Sequence, residues 1–320
     1  MPQIPQEPLH TITIRRITES PPTAPGAGRL GRHVRRDSRS AHYPYTAAPG
    51  RVPVAVEHAR NIPVLDQGDV GSCEGNAAVG VLASDPFWGS LKPGPQGQLG
   101  EPLAVQFYSA AEDIDGDGPY PPNDNGTTNT SICQAVKNAG LFAGYTHVAT
   151  VAQMIDALQD RPVIAGVPWY STFDAPDPET GIVSIGRGAY VRGGHAFVVR
   201  AVDPAGQRFK ADNSWGAGWG LAGSFWIPFG VMNRLLSEDG EITAPVPITA
   251  PAPVPVPNPP QPPPAPAVYP ADLDFVRRMD PWAAHRHSAH DAVHAYTQWK
   301  LARGIVTPGG EGGQLEPGAG

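Results

Sequence analysis

Apolar positions along this chain change their period partway through its best-patterned stretch. From residue 73 to about 160 they favour helices, in "CEGNAAVGVL", "PLAVQFYSAAED", "TSICQAVKNAG" and "VAQMIDALQD". Ser72 stands where it can cap the first helix, Cys73 to about Leu82, although Gly75 and Gly80 weaken that element. Thr130 or Ser131 is placed to cap the third, and Gly140 to stop it. Beyond residue 160 the runs turn β-branched and aromatic, in "PVIAGVPW", "AYVRGGHAFVVRAVD", "RFKADNSW" and "GSFWIPF". Helices first and strands later predict an α+β domain in two halves.

The pattern fades on either side. Residues 1–50 are rich in Pro, Arg and Ser and predict an extended arm, with "GRLGRHVRRDSRS" as its basic segment. Residues 51–243 form the patterned domain. Proline fills 13 of the 26 positions from Pro245 to Pro270, so 244–270 predicts a stiff polyproline II spacer. In 271–305, Trp282, Ala289, Val293 and Tyr296 fall on one face of a helix. That piece is too small to be stable alone, which predicts docking on the main domain or on a protein partner. His285, His287, His290 and His294 cluster on it, more in keeping with a polar face than with a metal site. A Gly-rich tail, 306–320, completes the chain.

Composition changes the picture in three respects. A net charge of −7 argues against binding nucleic acid through phosphate contacts. No apolar run approaches the roughly 20 residues of a membrane helix, and the N-terminus shows no apolar secretory core. Two cysteines cannot build a disulfide framework, so a reducing compartment fits best.

One of those cysteines carries the candidate chemistry. Cys73 would sit at a helix N-terminus, where unpaired N–H groups and the helix dipole favour a thiolate. A nucleophile needs a base, and His195, after two glycines in a strand-like run, is the best placed. Asn213 can accept from one ring nitrogen and leave the other facing sulfur. Gln67 and the Cys73 N–H can serve as oxyanion donors. Each alone is ordinary; a lone cysteine or histidine is usually structural. The order Gln, Cys, His, Asn in these local contexts is what stands out.

"DQGDVGSCEGNA", "GGHAFVVRAVD" and "NSWGAGWGLAGSFWIP" together resemble papain-like cysteine peptidases, especially the bacterial and viral branch without the usual prodomain. The resemblance spans roughly residues 50 to 232, with His195 and Asn213 lying 122 and 140 positions after Cys73. It implies a two-lobed fold, helical on one side and antiparallel β-barrel-like on the other, with the cleft between. It also implies Cys73 as nucleophile, His195 as base, Asn213 as orienter and Gln67 as oxyanion donor. Trp215 would shield the His–Asn bond, and Gly193 and Gly194 would line the cleft. The implied activity is that of a cysteine endopeptidase acting on peptides or proteins, with no cofactor required and a tethered docking module. The alternative is a papain-like domain serving as a binding or structural component of a phage or bacterial assembly. Either is expected to be cytoplasmic or virion-associated. Two departures matter: Val70 stands where the family often has a disulfide cysteine, and Glu74, where an aromatic is common, would repel a thiolate. By position, the arm is a candidate to lie across the cleft and be trimmed by the enzyme itself.

Asp113, Asp115, Asp117 and Asp124 have nearly the spacing of a calcium loop, but prolines and an Asp at its last position favour a solvated acidic loop. Cys133 reads as a small buried hydrophobe.

Overall fold

The computed structural model describes residues 21–91 and 93–248; the 271–305 helical segment, the tail and most of the proline-rich spacer lie outside them. In chain order the elements are a 3₁₀ turn Ser38–His42, β1 Val56–Glu57, α1 Cys73–Leu82, α2 Phe87–Ser90 and α3 Pro93–Gln96. Then come α4 Glu101–Asp115, α5 Asn129–Asn138, β2 Gly144–Val148, α6 Val151–Ala157, β3 Val163–Tyr170 and a second 3₁₀ turn, Ser171–Asp174. The last are β4 Val191–Asp203, β5 Arg208–Asp212, β6 Ser224–Pro228, α7 Phe229–Ser237 and β7 Glu241–Val246. The strands form one open antiparallel sheet in the order β2-β7-β3-β4-β5-β6, and β1 pairs with the far end of β4.

The central strands face two cores at once. Ala165, Val167, Trp169, Phe197 and Val199 pack with α6 and α7 residues such as Met154 and Leu235. Their alternates Ile164, Ala196 and Val198 pack with Cys73, Phe107, Ile132 and others from α1, α4 and α5. This two-sided burial explains why β3 and β4 read as continuous apolar runs without polar alternation. The same alternation sends His195 to one core and its neighbour Ala196 to the other.

Helix ends differ in detail from expectation. Ser72 makes no capping bond to α1; its hydroxyl faces Glu101 and accepts from the Asn76 amide at 3.1 Å. Thr128, not Thr130 or Ser131, caps α5: its backbone is extended and its hydroxyl accepts the Ser131 N–H. Pairing with β2 keeps residues 244–246 in β7, so the first of the spacer's residues are strand. Pro245 is accommodated because only residues 241–243 of β7 also pair with β3.

His147, on β2, is buried between Thr130 and Thr243. Burial pushes its pKa down to about 4. The unfolded chain, near 6.5, therefore takes up this proton first as pH falls, and the folded state loses stability between about pH 6.5 and 4. The expected loss from this ring is on the order of 3 kcal/mol. Denaturant unfolding of the natural chain and of His147→Gln at pH 7 and pH 4.5 checks it; the variant should show the smaller drop.

Candidate active site

β4 and the chain leaving β5 bring the two candidate residues His195 and Asn213 together. β5 pairs with β4 in the register Val198↔Asp212, which brings Asn213, one residue past β5, to His195. His195 Nε2 and Asn213 Oδ1 are 2.7 Å apart. The same Oδ1 accepts the Ser214 N–H at 2.8 Å, which fixes the amide's orientation and makes His195 Nε2 the proton donor. Nδ1 is left with its lone pair, buried and without a hydrogen-bond partner. Three aromatic side chains surround the ring: Trp169 at 4.7 Å, Trp215 at 4.9 Å and Phe197 at 6.4 Å between centroids. Burial among them pushes the His195 pKa down to about 4, against the opposing effect of the Asn213 bond.

Cys73 opens α1 on the other side of the cleft. The backbone N–H groups of Ala196, Gly31 and Glu74 are near enough to its sulfur to favour the charged form, so the sulfur is close to the residue next to His195. It is a free thiol, fully buried. The sequence predicts a thiolate here, and the structure corrects this: burial, reinforced by the Glu74 charge, pushes the thiol pKa up and outweighs the three N–H groups. Glu74 is itself buried, with neither carboxylate oxygen hydrogen-bonded. Burial raises its pKa to about 8, although Arg32 draws it down. The cleft as it stands therefore holds a neutral thiol and a neutral imidazole.

Gln67 lies beside this pair, tied to the segment that follows Asn213. Its N–H donates to the Ser214 carbonyl, its Oε1 accepts from the Ser214 hydroxyl at 2.6 Å, and its Nε2 donates to Val70 at 2.7 Å. Trp215 lies against the His195 ring. Gly193 and Gly194 lie on β4 opposite Trp169 and Pro168 of β3.

The reason for the burial is residues 28–33, which run through the cleft. Gly194 O accepts from Gly31 N at 3.3 Å and Arg32 N at 3.0 Å on one wall. On the other wall Thr127 N donates to Gly31 O, and His33 N donates to Thr127 O. The Trp215 indole donates to Arg29 O at 3.3 Å. Gly31 passes so near Gly71 that a Cβ there would overlap the Gly71 carbonyl. The arm anticipated in the sequence thus occupies the cleft, bonded to both of its walls.

Sequence reasoning missed the support beneath the base. Arg192 and Asp174 form a fully buried ion pair at 2.6 Å. Asp174 also accepts from the Trp169 indole at 2.9 Å and from Thr23 of the arm, and Arg192 donates to Gly28 O. Only "VRGGH", with an arginine three residues before the candidate base, offered a signal. The acidic segment does not gather into a cation site. Asp113 and Asp115 fall within α4, Asp115 pairs with Arg39, and Asp124 with Arg29. Among the described residues no three such side chains could share a metal. Cys133 is buried in the helical core, as expected.

No protein-family model matches this sequence, and no curated protein sequence matches it. Solved structures do match. Xylellain, a cysteine protease from Xylella fastidiosa, aligns with a TM-score of 0.58 at 16% sequence identity over 75% of this chain and 100% of its own. Procathepsin B S9 from Trypanosoma congolense gives 0.49 at 12% identity, over 69% and 87% of the two chains. Digestive procathepsin L 3 of Tenebrio molitor gives 0.46 at 15%, over 69% and 76%. The last two scores are too low to argue from; the first, with a helical core and a sheet core meeting at a cleft, shows that this chain adopts the papain-like cysteine peptidase fold.

Proposed function

We propose that this protein is a cysteine endopeptidase held latent by residues 21–50. The observation that carries the reading is His195: its Nε2 is fixed on Asn213 while its buried Nδ1 has no partner, beside the residue whose N–H meets the Cys73 sulfur. A lone pair left bare in an aromatic enclosure has a structural cost, and proton abstraction from the thiol accounts for it.

When the arm leaves, water enters and the burial that disfavours both ions is relieved. Nδ1 then takes the Cys73 proton, giving thiolate and imidazolium. The thiolate attacks a peptide carbonyl carbon, and the oxyanion forms against the Cys73 N–H and the Gln67 amide, once that amide turns from Val70. His195 gives its proton to the leaving nitrogen as the C–N bond breaks. Water, deprotonated by His195, then releases the acyl group and restores the thiol. No cofactor enters. Asn213 holds the ring in one tautomer, and Trp215 keeps water from that bond.

Hydrolysis of an unstructured peptide by a chain opened at the arm tests the reading. Cys73→Ala in that chain should lower turnover by on the order of 10⁶-fold. Turnover unchanged by that substitution would defeat it. A chain that neither turns over nor reacts at Cys73 with a thiol-directed epoxide would instead support the binding-component role, which the filled cleft also suits.

A further inference from the structure

Arg32 enters the protein beside the proposed nucleophile. Its neighbour Gly31 meets the Cys73 sulfur, and its own side chain turns into a fully buried pocket. There Nε donates to Asn129 Oδ1 at 3.3 Å, and Nη2 donates to the Asp239 carbonyl at 3.0 Å and to Glu241 Oε2 at 3.4 Å. Asn129 is held for this task, because its Nδ2 donates to the Ile164 carbonyl and so turns Oδ1 inward. Gly166 makes the room: a Cβ there would overlap both Asn129 Oδ1 and the Arg32 side chain. Glu74 is a second buried acid in this neighbourhood, with neither oxygen hydrogen-bonded.

These groups belong to the domain, not to the arm. Once the arm leaves, the pocket keeps the Glu241 carboxylate, a fixed amide oxygen and a backbone carbonyl, all acceptors. An empty pocket of this kind is costly without a cation, and acceptors spread on several sides suit a planar guanidinium better than a compact ammonium. An apolar or acidic side chain entering it would leave buried acceptors unpaired.

We infer that the Arg32 pocket sets specificity, and that the opened enzyme selects peptides carrying an arginine beside the residue seated at the Cys73 sulfur. This rests on the peptidase reading above and names its substrate class. The arm is then a resident occupant, with its own arginine in the place a substrate arginine takes.

The test uses the full chain opened by Gly31→Val and peptides identical except for Arg, Lys, Leu or Glu at each position flanking one bond. The arginine peptide should be cleaved at least about tenfold more efficiently than the leucine peptide, with the arginine within two residues of the cut. Glu241→Gln should remove most of that advantage. Because this buried variant can misfold, a second measurement leaves the enzyme unaltered. The peptide Leu-Gly-Arg-His-Val should inhibit at least about tenfold more strongly than the same peptide with neutral citrulline for arginine. Cleavage with no arginine preference, or equal inhibition by the two peptides, overturns the inference and leaves the peptidase reading standing. Absence of both cleavage and Cys73 labelling overturns the two together.

Discussion

Gly31→Val is expected to make Cys73 react with a thiol-directed epoxide, where the natural chain reacts slowly. The Gly31 site admits no Cβ, since one there would overlap the Gly71 carbonyl, which is backbone and cannot swing aside. Seating valine would cost several kcal/mol, and each 1.4 kcal/mol shifts the closed-to-open ratio about tenfold. The labelling rate at pH 7 should therefore rise by on the order of 100-fold. Gly31 contributes no side chain to either core, so the domain keeps its packing. Intact mass reports a single adduct, and Gly31→Val with Cys73→Ala serves as the blank. The natural chain should also keep its full mass on incubation, because burial under the seated arm disfavours both the Cys73 thiolate and the His195 imidazolium. A labelling rate the same in both chains would show that the arm does not control access.

The second large effect is expected at Asp174. Asp174→Ala removes a buried carboxylate partner of the Arg192 cation and takes away the acceptor of the Trp169 indole N–H. Breaking a buried ion pair by removing one member costs about 3–5 kcal/mol, so urea unfolding should shift by that amount. Asp174 also accepts two bonds from Thr23, and Arg192 holds Gly28, so the arm loses its latch along with the ion pair. Faster labelling of Cys73 should accompany the lost stability. Replacing Glu238, a half-buried partner of Tyr170 and Arg234 at the surface, should change neither. A loss below about 1 kcal/mol at Asp174 would mean that water reaches the pair and that the stability argument fails.

How much of this was legible in the sequence follows from how local each signal is. The bounds of α1 agree with the sequence reading because a turn, a serine and an apolar run are all contiguous. β4 and the stretch around Asn213 were equally plain, being dense in β-branched and aromatic residues. β2, β7 and α7 went unread: β2 and β7 find each other across nearly 100 residues, and nothing within "GYTHV" or "EITAPV" names its partner. The Arg32 pocket was further from reach. Its acceptors come from α5, from the turn before β7 and from β7 itself, with Arg32 and Glu241 separated by 209 positions. The thiolate expectation failed for a related reason. The helix dipole is a local property, whereas the burial that overrides it comes from a segment more than forty residues upstream.

Covalent attachment gives that segment a competitive standing no free ligand shares. A tethered occupant acts at an effective concentration of about a millimolar, so soluble peptides at micromolar levels scarcely compete with it for the cleft. Raising the substrate supply is therefore a poor trigger. Release has to come from an event on the chain itself, such as a cut upstream, a pull on the N-terminus or the loss of the Thr23 latch, and the response should track that event and not the abundance of peptide.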